Sequence, residues 1–133
     1  MSSISYLFAD VTRTNKLKAL PNDVSNEYEL QTAINNAVDG KLAEISIEAD
    51  FTITSKINIP NKKSILITSS EKDNTITAKG TDSLFKLESG SELVLGDDGF
   101  RVILDGDKEI TTYIISCDSE SIQVIKLVCN YIQ

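Results

Sequence analysis

The sequence has no histidine and no tryptophan, a single methionine, and only two prolines and two cysteines. The absence of histidine removes histidine-based catalytic triads, imidazole metal sites and an imidazole switch near neutral pH. The two thiols, Cys117 and Cys129, are no CxxC pair, and two thiolates without histidine make no zinc site. They are expected as buried free thiols, and a disulfide between them stays open because sequence cannot fix its geometry. Basic residues are also scarce: 13 against 20 acidic ones, for a formal net charge of −7. Duplex nucleic acid or an anionic membrane would need local charge reversal to bind such a chain. No apolar run approaches the roughly 20 residues of a membrane helix. In Met1 to Leu20, Arg13, Lys16 and Lys18 follow the apolar Tyr6-Leu7-Phe8 instead of preceding a long apolar stretch. This segment is therefore not expected to act as a signal peptide.

What is present is the composition of one globular domain. The chain has 133 residues, 41% of them apolar and 25% charged, enough for a sizeable core. Residues 1–25 show no sustained period and read as an N-terminal arm. Ile4, Leu7, Phe8 and Val11 are isolated apolar positions able to dock on a neighbouring edge. Residues 26–38 read as a helix, with Asn26 as cap and Glu29 completing a capping box. Leu30, Ala33, Ile34, Ala37 and Val38 form its apolar stripe, and Gln31, Asn35 and Asn36 face water. Asp39-Gly40 is expected to end it, with Gly40 in the left-handed cap position.

Beyond Gly40 the period changes from 3.6 to 2. Ile45, Ile47, Ala49, Phe51 and Ile53 alternate with Ser46, Glu48, Asp50, Thr52 and Thr54, the signature of strands with one buried side. Short apolar pairs then recur between turns rich in Gly, Asn, Asp and Ser. One spacing organises them. Ile57, Ile59, Ile65 and Ile67 have offsets 0, 2, 8 and 10, and Phe85, Leu87, Leu93 and Leu95 repeat them 28 residues later. A degraded third copy reads Ile114, Ser116, Ile122 and Val124. Repeats of this length mark a solenoid whose unit cannot bury its own apolar face. With only strand-like segments in each unit, the expected fold is an all-β, short, single-stranded right-handed parallel β-helix. The helix 26–38 caps one end, and residues 110–132 complete or cap the other. An ordinary β-sandwich is the alternative. Ile57 is expected to stack on Phe85 and Ile65 on Leu93, with Lys63, Glu88 and Glu92 solvated outside.

From Glu29 to Gly106 the text resembles the right-handed β-helix of the pectate-lyase-like superfamily, as found in bacterial surface proteins. The resembling phrases are Glu29-Leu30-Gln31-Thr32-Ala33-Ile34, Ile57-Asn58-Ile59-Pro60, Ser64-Ile65-Leu66-Ile67, Leu84-Phe85-Lys86-Leu87 and Ser91-Glu92-Leu93-Val94-Leu95. The resemblance implies a capped solenoid module serving as scaffold or adhesive stalk, located extracellularly or at a cell surface, although the cytoplasm stays open. Its partners would be protein or carbohydrate, with no nucleic acid and no membrane insertion. This chain has fewer coils than members of that superfamily usually have.

The resemblance also raises an alternative, a reduced carbohydrate-active β-helix acting as polysaccharide hydrolase or lyase. Asp97 and Asp98 are the candidate paired carboxylates, with Arg101 as the nearby base or substrate-binding cation. Adjacent strand residues face opposite ways, so only the Gly96-to-Gly99 turn could aim both carboxylates at one sugar. Asp97, Asp98, Asp105 and Asp107 hold enough oxygen for calcium. From Asp105, however, an EF-hand count meets Ile110 where glycine is needed and Ser116 where glutamate is needed. Read on their own, these residues are hydrophilic turns. The expectation is therefore a non-catalytic module without cofactor or metal.

Overall fold

A computed structural model describes residues 22–97, 99–107 and 115–117 in full, and the backbone of 124–127. The elements in chain order are β1 (Asn22–Val24), α1 (Glu27–Asn36), β2 (Leu42–Ile47), β3 (Phe51–Ile53), β4 (Ile57–Ile59), β5 (Ser64–Ser69), β6 (Asn74–Ala78), β7 (Phe85–Leu87), β8 (Glu92–Leu95), β9 (Val102–Asp105), β10 (Ile115–Cys117) and β11 (Val124–Leu127). The pairings between these strands are parallel. They build three sheets, in the orders β1-β2-β5-β8-β11, β3-β6-β9 and β4-β7-β10. Three successive strands thus visit three different sheets, and the fourth lands beside the first, one strand spacing of about 4.8 Å further along. This is a short right-handed parallel β-helix with one N-terminal helix, the hand that parallel crossovers take. Residues 1–21, including Ile4, Leu7, Phe8 and Val11, lie outside the described residues, as does most of 110–132.

The repeat becomes vertical stacking. Ile57 pairs in register with Phe85 and Ile59 with Leu87. Ile65 pairs with Leu93 and Ile67 with Leu95. All eight side chains are buried, seven of them at 0–1% exposure and Leu95 at 5%, as members of one apolar core. The first coil adds Ile45, Ile47 and Ile53, and the second adds Ile76 and Ala78. Inward residues recur at every second position because successive strand side chains alternate faces.

The third copy needs a correction. The residue over Phe85 is Ile115, not Ile114, and Cys117 rather than Ser116 lies over Leu87. Likewise Ile125 and Leu127, not Ile122 and Val124, pair with Leu93 and Leu95. For the second pair, corner length adds to the shift. Four residues, 88–91, join β7 to β8, whereas six, 118–123, join β10 to β11. With apolar residues at both 114 and 115, the sequence pattern fits a frame one residue off, and such a slip swaps the faces. Cys117 is exposed instead of buried, at the end of an edge strand. Cys129 lies outside the described residues.

The helix starts as its capping residues dictate. Asn26 Oδ1 accepts the Glu29 N–H at 2.8 Å, and the Glu29 carboxylate accepts the Ser25 N–H at 2.8 Å, one residue ahead of the cap. Leu30 and Ile34 are fully buried against the first coil. The helix stops two residues earlier than expected, at Asn36, where Ala37 turns extended with ψ 148°. Gly40 does take a left-handed φ of 77°, but in the turn beyond, where its N–H donates to Lys62 O. Val38 is accordingly 62% exposed and not part of the stripe. Lys63 also departs from expectation. Its ammonium donates to the Ala37 carbonyl and pairs with Asp39 at 3.0 Å, leaving its side chain 13% exposed.

Two polar residues of α1 finish the first coil's open edge. The Gln31 amide donates to Asn58 O at 3.0 Å and accepts the Asn58 N–H at 2.9 Å. It thereby gives β4 the pair of hydrogen bonds a neighbouring strand would supply. Glu27 accepts the backbone N–H groups of Thr54 and Ser55, both at 3.1 Å. Gln31 therefore faces the coil, not water.

Two stability measurements check this packing. Leu93→Ala should cost about 2–5 kcal/mol through lost burial and the cavity left behind. Its half-exposed neighbour Glu92, whose carboxylate accepts the Ser64 hydroxyl, should cost about 1 kcal/mol or less as Glu92→Ala. Urea unfolding that gave similar small losses would mean the faces are assigned wrongly. Gln31→Ala should cost about 1 kcal/mol, because water replaces only part of the lost pairing at exposed Asn58. Amide exchange at Asn58 should accelerate in that variant while exchange at Ile67 does not.

Candidate functional site

The candidate carboxylates sit where the chain leaves sheets, and each caps its own turn. Asp97 Oδ1 accepts the Gly99 N–H at 2.7 Å. Asp105 Oδ1 accepts the Asp107 N–H at 2.8 Å, and Asp107 has a left-handed φ of 48°. Short carboxylate side chains favour such local bonds two residues ahead. Asp98 lies outside the described residues. Among the described residues, no group of three or more Cys, Asp or Glu side chains is placed to hold a metal ion.

Arg101 has a different partner from the one its sequence neighbourhood suggests. Its Nε donates to Asp73 Oδ2 at 2.8 Å, and its terminal nitrogen lies 2.8 Å from the same oxygen. Its backbone N–H donates to Asp73 Oδ1 at 2.7 Å. The Arg101 carbonyl accepts the Asn74 N–H at 3.1 Å and the Ser69 hydroxyl at 2.8 Å. One residue of the third coil is thus fixed from both sides to the corner of the second. The Arg101 backbone N–H, and then its guanidinium, hold the Asp73 carboxyl below the usual aspartate range. Asp73 escaped the sequence reading as a partner. Its signal was its spacing, 28 residues before Arg101, which is the interval of the apolar repeat.

The same interval links other polar side chains across coils. Asn61 donates to Ser89 O and Ser64 donates to Glu92; at a shorter interval of 25 residues, Asp50 accepts the Thr75 N–H at 2.8 Å. Gly90, beside Ser89, is needed at its position. Its φ is +74°, and a Cβ there would lie 2.8 Å from the Asn61 amide nitrogen. An open groove of about 390 Å³ runs along this corner between Asp39, Lys62, Lys63 and Glu92. A second, of about 640 Å³, lies on the outer side of β4 and β7, lined by Lys56, Asn58, Thr81, Asp82 and Lys86. There Lys56 pairs with Asp82 at 3.2 Å. Tyr28 and Phe100 are exposed, one on α1 and the other between β8 and β9, whereas Phe85 is buried and Phe51 packs half-buried against the core.

No protein-family model, curated protein or solved structure matches the chain.

The Asp73–Arg101 contact generates a pH test. A carboxyl whose folded value is lowered stabilises the fold above its ordinary range and loses that contribution as pH falls through the lowered value. The stability advantage of the wild type over Asp73→Asn should therefore be full at neutral pH and shrink below about pH 4. Urea midpoints measured across that range check it. Arg101→Ala should add little once Asp73 is changed, since contacting pairs are not additive.

Proposed function

We propose that this chain is a non-catalytic β-helix module of the pectate-lyase-like kind, acting as scaffold or adhesion surface of a bacterial surface protein. The observation that carries the reading is the engagement of Arg101. The cation that a carbohydrate-active site at residues 97–101 would need is bonded through backbone and side chain to Asp73. It joins coil to coil there. The turn carboxylates Asp97 and Asp105 are held by amides of their own loops. Polar groups at these corners brace the solenoid, and its outer faces present a fixed polar surface to a protein or carbohydrate partner. No helix among the described residues is long and apolar enough to cross a membrane.

The test is a panel of acidic and neutral polysaccharides incubated with the protein, with reducing ends and unsaturated products measured. The expected result is no turnover above the buffer control. Turnover that is lost in Asp98→Asn would replace this reading with a carbohydrate-active enzyme.

A further inference from the structure

Asn74 opens β6 on its inward face, in line with Ile76 and Ala78, and is fully buried. Its amide nitrogen donates to the Ile47 carbonyl of the first coil at 2.9 Å and to Lys72 O in its own turn at 3.3 Å. Its backbone N–H donates to Arg101 O of the third coil at 3.1 Å. One residue thus ties the same corner of three successive coils. The two carbonyls decide which arm of the amide is nitrogen, since an oxygen there would meet only acceptors. The other arm, Oδ1, is buried and has no hydrogen-bond partner. Val102, its neighbour in register in the next coil, has no side-chain donor to offer. An unmet buried acceptor is unfavourable, and an apolar side chain of similar size would avoid it. We propose that Asn74 is a register lock: its amide sets where β6 begins, and through β6 where β9 begins, while its own oxygen goes unmet.

The apolar pattern at this corner leaves the frame open. Ile76 is the one large apolar side chain of β6. In β9, Val102, Ile103 and Leu104 adjoin, so a slide of one residue would still turn an apolar side chain inward while reversing every face. In the structure Ile103 is 37% exposed, and Val102 and Leu104 pack against the core. Asp73 and the Ser69 hydroxyl fix Arg101 to the corner, and Asn74 fixes that corner to the first coil. One residue out of frame, the Asn74 amide would leave Ile47 O, and Thr75 would enter the core with no amide to replace it. A buried polar group that must find its partners penalises such slides, which is the best-attested use of polar groups in apolar interiors.

Two variants test the lock. Asn74→Leu keeps the size and removes both donor and acceptor. The Gly96 N–H, bonded to Ile67 O, reports whether the coils remain folded. With Gly96 protection within about twofold of wild type, amide exchange at residue 74 and at Arg101 should accelerate about tenfold or more. Amide spectra should show a second set of signals for Val102 to Asp105. Asn74→Asp restores the donor only while its carboxyl is protonated, the form that burial favours. The folded state of that variant then binds the proton, so its stability is retained in mild acid and lost as pH rises. The charged groups around the corner are Glu48 and Asp50 beyond β2, Glu71, Lys72 and Asp73 before β6, and Arg101 before β9. Urea midpoints taken against wild type at the same pH remove their titration. The deficit of Asn74→Asp should be large at about pH 8 and shrink by about half or more by about pH 5. A single set of signals with unchanged exchange in Asn74→Leu would overturn the lock. So would an equal deficit at both pH values in Asn74→Asp, which decides the matter alone if Asn74→Leu does not fold.

Discussion

Parallel hydrogen bonding between one coil and the next is the constraint from which the rest of the molecule follows. Once Ile57 is held over Phe85 and Ile65 over Leu93, each inward side chain has its vertical neighbour chosen for it. The same register operates outside the core. It brings Asp73 under Arg101, Ser64 beside Glu92 and Asn61 beneath the Ser89 carbonyl. It also aligns the backbone at one corner, where Gly40, Lys62 and Gly90 all take left-handed φ values, of 77°, 72° and 74°. Lysine at the middle position tolerates a conformation that costs a side-chain-bearing residue about 1 kcal/mol, because the turns above and below impose it.

A stack of parallel strands has two ends, and an end is a row of unsatisfied donors and acceptors. Among the described residues, side chains close this end of the first coil. Gln31 carries in one amide group both the donor and the acceptor that Asn58 needs, and Glu27 collects two corner amides. Meanwhile Leu30 and Ile34 close the apolar interior. The helix therefore serves the edge chemically and the core sterically, from adjoining strips of one surface. Among the described strands, β1 extends one sheet past this cap.

Much of this was legible in the residues. The 28-residue interval gave the coil, the inward ladder of the two regular copies and the capped end, because burial and alternation leave a direct trace in residue type. Three things were hidden. The frame of the third copy depended on the choice between two adjoining isoleucines and, for its second pair, on the length of a corner, neither of which apolar spacing reports. The work of Gln31 and Lys63 was hidden because a polar side chain has the same identity whether it meets water or a backbone carbonyl. Arg101 was read with its sequence neighbours Asp97 and Asp98, whereas in a solenoid the residue one coil away is as close as the residue next door. Applying the apolar interval to charged residues would have found Asp73.

The corners differ from the strands in one further respect. Three residues, 54–56, join β3 to β4, and six, 79–84, join β6 to β7, yet Ile57 still lies over Phe85. The longer corner folds part of its extra length inward, with Ser83 and Leu84 buried, and Lys56 of the shorter corner reaches Asp82 of the longer one. Length at a corner is thus decoupled from register in the strands. Lengthening a loop carries an entropic cost that grows only with the logarithm of its size, about 0.6 kcal/mol per doubling. Such a body can acquire or lose short peptides at its corners while its interior keeps the same neighbours, so recognition sequences can be exchanged on it without redesigning what holds it together.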